Sequence, residues 1–291
     1  MSQEISAAEK NALIGDLLKT ASGRQKLASA MTQPLRVRRD YASVGRKAFL
    51  VEQLPDGALP YYDKDPEVTA YVVNDEGQSV QNVTKGRRVS IPLFELACNP
   101  VISLTQIKER RFDIVERAQD QGRSQIQALE DERVFAVMNA VAQDGFDNIG
   151  AVNPEIPVVA PLTTAVLSDA FAMIERWDLR VQRIFINAQD YNDVRKWGRA
   201  ELDDDSQQTL LRTGLMASIW GAQFIQTRLV ERGTIYVCAE PEFFGRIPVR
   251  TELSVISADE PALRRIGFSI FEQLGIGCHN PLGLVKISLI R

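Results

Sequence analysis

Residues 105–142 constrain this chain more than any other stretch. Phe112, Val115, Gln119, Gly122, Ile126, Leu129, Arg133, Val137 and Val141 step at intervals of three and four, and no proline interrupts them. That period places them on one face of an α-helix. The N-terminal half is crowded with charge: Lys108, Glu109, Arg110, Arg111, Asp113, Glu116, Arg117, Asp120 and Arg123. Acids and arginines interleaved three and four apart support a helix even where its packing is thin. The same interleaving makes the carboxylates of this helix a salt-bridged surface rather than an acid/base pair. At the rise of an α-helix the segment would run about 50 Å, longer than a compact domain of this size needs. Such a helix acts as a spine for other segments.

The segments before it are built for a surface they do not themselves supply. Residues 5–20 predict an amphipathic helix, a second helical stretch runs to about Met31, and Pro34 ends it. In LRVRRDYASVGRKAFL, Arg36, Arg38, Arg39, Arg46 and Lys47 form a basic patch, while Leu35, Val37, Tyr41, Phe49 and Leu50 are too apolar for a purely solvated tail. Residues 56–97 read as a long two-stranded ribbon. Tyr71, Val72 and Val73 lead into NDEGQSVQN, Gly77 supplies the turn, and RRVSIPLFEL returns with Val89, Ile91 and Leu93 alternating. Pro92 suits an edge strand. A hairpin polar on both faces is marginal alone and needs a partner, for which a neighbouring copy is the simplest candidate.

Beyond the helix, Gly145, Gly150, Pro154, Pro157 and Pro161 mark a loop-rich boundary. Thr163 or Thr164 caps a helix through Phe171, Met173, Ile174 and Trp177. RIFIN (183–187) is a strand, AQDYNDVRKW a helix, and 198–208, with Asp203, Asp204 and Asp205, a polar loop. SIWGAQFIQT reads as one strand, Glu231-Arg232-Gly233 as a turn, and TIYVCAE, IGFSIFEQLGIG and GLVKISLI as strands. No internal repeat is apparent.

Composition and motifs exclude several function classes. A formal net charge of −4 is wrong for a protein that holds DNA by neutralising many phosphates. No stretch approaches the length of a membrane helix, and MSQEISAAEK lacks the pattern of a secretory signal. Cys98, Cys238 and Cys278 lack metal-ligand spacing and fit a reducing cytoplasm. His279 is the only histidine, so any histidine-dependent nucleophilic mechanism must use it. It adjoins Cys278, but neighbours on a strand point to opposite faces, and a histidine capping a strand end before Asn280-Pro281 is the better reading. Gly275-Ile276-Gly277 fails as a dinucleotide fingerprint because Asn280 stands where the third glycine belongs. Asp203-Asp204-Asp205 fails as a calcium loop because Gln208 replaces the glycine and Gly214 the closing carboxylate. No catalytic, cofactor-binding or metal site is expected.

The order of these elements resembles the tailed-phage major capsid protein family, whose fold is shared with encapsulin nanocompartments. The specific part is IWGAQFIQTRLVERGTIYVCAEPEFFGRIPVRTEL followed by IGFSIFEQLGIGCHNPLGLVKISLI. It is similar to the family's glycine-bearing strand, turn, second strand, G-x-I/P-V-R entry and closing strand pair. The resemblance implies an α+β capsid fold: an N-terminal arm (1–50), an extended β-ribbon loop (51–100), a peripheral domain with spine helix (101–160 and 249–291) and an inserted axial domain (161–248). It also implies a non-enzymatic shell protein of the virion, made in the host cytoplasm and assembling with itself as hexamers and pentamers. The implied partners are packaged double-stranded DNA in weak lining contact, a separate scaffolding protein, a portal and a decoration protein, with no membrane. Expected inter-subunit contacts are Arg36, Arg38, Arg39, Lys64, Tyr71, Lys85, Arg87, Arg88, Asp203, Asp204 and Asp205. Lys64, Lys85 and Asn280 are read as ordinary surface residues rather than members of a covalent cross-link. The alternatives are an encapsulin-type shell, against which the long arm argues, and an enzyme of unknown type.

Overall fold

A computed structural model of the chain describes residues 41–55, 57–64, 87–103, 114–143, 155–198, 201–202, 204–216 and 218–290. The arm up to residue 40, the ribbon tip with Gly77, and the expected helix start at 105–113 lie outside the described residues. The described part of the spine is helix α1, Ile114–Gln143, 30 residues long. The chain divides into two compact units, one of Met1–Tyr41, Ala97–Ile126 and Leu253–Phe271, the other of Ala42–Leu96, Gln127–Glu252 and Glu272–Arg291.

The larger unit is organised by a six-stranded sheet in the order β6-β14-β10-β7-β9-β8. Its strands are β6 (Glu155–Val158), β7 (Val181–Asn187), β8 (Ser218–Ile219), β9 (Ala222–Thr227), β10 (Thr234–Ala239) and β14 (Leu284–Leu289). β10 runs antiparallel to both β7 and β14, pairing Ile235 with Ile186 and with Ile287. All six of its residues, TIYVCA, are buried, as a strand covered on both faces requires. The side-chain period of two then splits them between two cores. Ile235, Val237 and Ala239 join Ile184 and Ile186 under helices α2 (Thr164–Glu175) and α3 (Tyr191–Arg195). Tyr236 and Cys238 join Phe185 against Val134, Phe135, Met138 and Ala142 of α1. Thr163 caps α2, its hydroxyl accepting from the Val166 amide at 3.5 Å.

A second sheet has the order β1-β11-β12-β4 (Leu50–Gln53, Gly245–Ser257, Arg265–Gly275 and Leu93–Cys98), with β13 (Gly277–Cys278) on β11 and β5 (Val101–Ser103) on β12. In the larger unit β1 (Leu50–Gln53) lies parallel to β11 (Gly245–Ser257), Leu50 opposite Arg246. In the smaller unit β5 (Val101–Ser103) is antiparallel to β12 (Arg265–Gly275), Ser103 opposite Arg265. There Gly122 of α1 lies against Ile270, and a Cβ at that position would stand 2.5 Å from the Ile270 Cδ1.

Several expectations need correction. Residues 198–208 are not all loop: Asp204–Thr213 form helix α4, which opens on acidic residues, favourable at the positive end of a helix, and buries Leu210. SIWGAQFIQT is a hairpin rather than one strand. Trp220 (φ +48°) and Gly221 (φ +86°) form its two-residue loop, both in the left-handed region that tight hairpins use. RRVSIPLFEL also breaks, at Ile91-Pro92, into β3 (Arg87–Ser90) and β4 (Leu93–Cys98), and among the described strands β2 (Tyr61–Lys64) and β3 form the ribbon. Asn280 caps the short 3-10 turn Pro281–Gly283, its Oδ1 accepting from the Leu282 amide at 3.2 Å. Beside these corrections, β14 pairs with β10 and β6 pairs with β14, which adds both to the sheet formed by 181–239.

Candidate functional site

The described chain begins by lying along α1, attached to it by a cluster of polar contacts. The Asp131 carboxylate accepts from the Ser43 hydroxyl at 2.8 Å and from the amides of Val44 and Gly45 at 2.7 and 2.8 Å. It does for the short 3-10 turn Gly45–Lys47 what an N-cap does for a helix: it satisfies amides that no preceding turn can reach. A Cβ at Gly45 would meet Asp131 Oδ1 at 2.5 Å and Val134 Cβ at 3.2 Å, so a larger residue there would push the carboxylate away. The next residue, Arg46, spreads its guanidinium over Glu130 (2.7 Å), Glu252 (3.2 Å) and Glu272. Glu130 and Glu272 are buried, whereas Glu252 is half exposed. Burial raises the pKa of Glu130 against the pull of Arg46, and burial together with the Glu130 charge pushes Glu272 up to about 7. Ala48 and Phe49 then enter the α1-facing core, Phe49 packing on Phe244 with ring centroids 4.8 Å apart.

Glu130 and Asp131 depart from the expectation that the carboxylates of the long helix form a salt-bridged surface, whereas Glu116, Asp120 and Glu132 are exposed. The buried face of α1 runs Ile126, Glu130, Asp131, Val134, Phe135, Met138, Val141, Ala142, while Leu129 and Arg133 are exposed. Sequence reasoning missed this site, although a signal was present. The apolar steps at 126, 134, 138 and 141 form an unbroken helical stripe only if Glu130 is included. Likewise Ile270, Glu272 and Leu274 alternate on the buried face of β12.

A second anchored region is the base of the ribbon. Tyr61–Lys64 pairs antiparallel with Arg87–Ser90, Lys64 opposite Arg87. Arg246 of β11 bonds Glu52 at 3.1 Å and lies over the Tyr62 ring, 5.2 Å from its centroid. Arg250 donates to the Ala58 carbonyl at 2.7 Å. Burial, with help from Glu52, pushes the Tyr62 phenol up to about 12. The ribbon's root is therefore held by two arginines of one strand.

The expected contact residues are scattered by the structure. Lys64 and Arg87 close the described end of β2–β3, and Arg88 is exposed in an ion pair with Asp63 at 2.9 Å. Asp204 and Asp205 open α4, Asp204 being exposed. Arg36, Arg38, Arg39, Tyr71, Lys85 and Asp203 lie outside the described residues. As for nucleophiles, burial pushes the Cys278 thiol up to about 12, and its S–H donates to the Phe244 carbonyl at 3.5 Å, which makes it a poor thiolate source beside His279.

No family model and no curated protein sequence matches the chain. Solved structures do. The capsid of the cyanophage P-SCSP1u superposes with a TM-score of 0.74 at 12% identity, over 90% of this chain and 92% of that one. This chain has the fold of phage capsid subunits. The mature capsid of bacteriophage PhiM1 gives a TM-score of 0.68 at 11% identity, over 90% and 91% of the two chains. The capsid of a native GTA particle gives 0.58 at 16%, over 90% and 96%. Within this capsid fold the polar contacts described above tie residues 43–46 to α1 and the base of the ribbon to β11.

Proposed function

We propose that this chain is a major capsid protein that self-assembles as hexamers and pentamers into the icosahedral shell around the double-stranded DNA of a tailed phage. The observation that carries this reading is a capsid fold that extends over nine-tenths of the chain at a TM-score of 0.74. Large side chains left facing solvent support it: Leu59, Leu211, Leu215 and Trp220 are more than half exposed in the single subunit, a natural state for surfaces that another copy covers. The net charge of −4 fits a shell whose contact with DNA is a weak lining one.

In this reading 161–248 is the axial domain, joined in its sheet by β6 and β14, and 101–160 with 249–291 is the peripheral domain. Arg36, Arg38, Arg39, Lys64, Tyr71, Lys85, Arg87, Arg88, Asp203, Asp204 and Asp205 are contacts between subunits, with 198–208 near the axial vertex. The partners are a separate scaffolding protein, a portal and a decoration protein, and the product is a virion capsid assembled in the host cytoplasm.

Size-exclusion chromatography and electron microscopy of the expressed chain test the proposal. Megadalton particles or capsomers are expected, and deletion of 62–88 should leave a soluble subunit that does not form shells. A small, closed oligomer, or normal shells from the deletion, would refute it. Particles filled with protein instead of DNA would identify a nanocompartment.

A further inference from the structure

The Arg46 cluster has an imbalance that its role as an anchor does not explain. Facing the guanidinium are Glu130 from α1, Glu272 from β12 and Glu252 from β11. Asp131, next to Glu130, is engaged by Ser43, Val44 and Gly45, and the Gln53 amide of β1 reaches Glu252 at 3.5 Å. Glu252 stands 48% exposed at the rim, where water screens it, but the side chains of Glu130 and Glu272 are each only 1% exposed. Among the described residues, two enclosed carboxylates therefore share one cation. Moreover, Glu130 Oε2 is buried with no hydrogen-bond partner among the described residues. Two like charges closed around a single guanidinium leave one negative charge uncompensated, and binding a proton is the cheapest way to remove it. A buried carboxylate oxygen that no donor reaches is an acceptor that such a proton would satisfy.

We propose that Glu130 and Glu272 together hold one exchangeable proton, and that its loss loosens the attachment of residues 43–49 to α1. With the proton bound the enclosed trio is neutral and Arg46 bonds both carboxyls. Without it, a second full charge sits beside the first away from water. Relief comes by letting solvent in, and the element that can yield is the three-residue turn bearing the 28% exposed Arg46, rather than a strand or a long helix. That turn continues in sequence into residues 1–40, so the proton governs how firmly the root of the arm is held. The position of the window follows from Glu272, pushed up to about 7 by burial and then by the Glu130 charge. The proton is on below neutrality and leaves above it.

Hydrogen exchange on the unassembled full chain tests this at the amides of Val44 and Gly45, which bond Asp131 and not the proton-sharing pair. After correction for base-catalysed intrinsic exchange, protection there should fall about tenfold or more between about pH 6 and about pH 8.5, as for a local opening linked to one proton. Glu272→Gln, which is neutral at every pH, should flatten the profile, and Glu130→Gln provides the same test if the first variant does not fold. Carbon-detected NMR of the native chain gives an independent reading: one glutamate carboxyl should titrate near neutrality. Protection that does not vary with pH, a slope that survives in both variants, or glutamates that all titrate below about pH 5.5 would each overturn the proposal. The measurement needs no assembled particle, so its outcome is separate from that of the capsid reading.

Discussion

Replacing Arg46 with alanine removes the one cation shared by two enclosed carboxylates and leaves both in place. Removal of one partner from a buried ion pair typically costs about 3–5 kcal/mol, because a buried charge is left uncompensated. Arg46 is itself 28% exposed, which lowers the expected loss to about 2–3 kcal/mol at pH 8. The cost depends on pH in a definite direction. Glu272 already has a folded-state pKa above its ordinary 4.5, near 7, and loss of the guanidinium raises it further. A carboxyl raised in this way stabilises the fold fully below its unfolded pKa, and that contribution is lost as pH rises through the folded value. At about pH 5 the Glu272 carboxyl is therefore neutral in the variant and burial still raises Glu130, so the loss falls toward that of hydrogen bonds and packing, about 1 kcal/mol. Urea unfolding of the unassembled subunit at the two pH values measures the difference directly. The variant's deficit should roughly double or triple from acid to mild alkali. A deficit that is equal at both, or that shrinks as pH rises, would refute the reasoning.

Two further outcomes follow from the sheet of the larger unit and its surface. Gly233 has φ +82° and a Cβ there would stand 2.9 Å from the Leu289 carbonyl oxygen, which is backbone and cannot swing away. Gly233→Ala should cost about 2 kcal/mol, lowering the melting temperature by roughly 4–8 °C in a thermal scan; an unchanged melting temperature would contradict the packing described for β10 and β14. Leu211 is 75% exposed on α4, so Leu211→Asp should change subunit stability by no more than about 0.5 kcal/mol. If α4 is covered in an assembled shell, the same variant should sharply reduce particle yield in light scattering, whereas full assembly would take α4 out of the interface.

Read from the chain alone, the spine helix, the split of strands after residue 180 and the base of the ribbon were all visible. Each is a local pattern: a three-and-four step, an alternation, a run ended by glycine or proline. The failures were also local. Trp220 hid a hairpin turn, because a large aromatic rarely takes a left-handed conformation and the run around it looked like one strand. Asp203-Asp204-Asp205 looked like a solvated loop because acidic residues favour loops and helix starts alike.

The long helix shows where the two kinds of information part. Its existence was settled by composition and spacing within a single segment, since the helical period is a property of neighbours in sequence. Which side of it is buried was not, because Glu130 and Asp131 count as surface residues until their partners are known. Those partners are Gly45 and Arg46, more than 80 positions away, with Glu272 a further strand beyond. A carboxylate can face the interior only where donors meet it, and those donors are brought to it by the tertiary fold. The sequence alone therefore determined that a spine is present; only the folded chain decided that the root of the arm is fastened to it by buried charge.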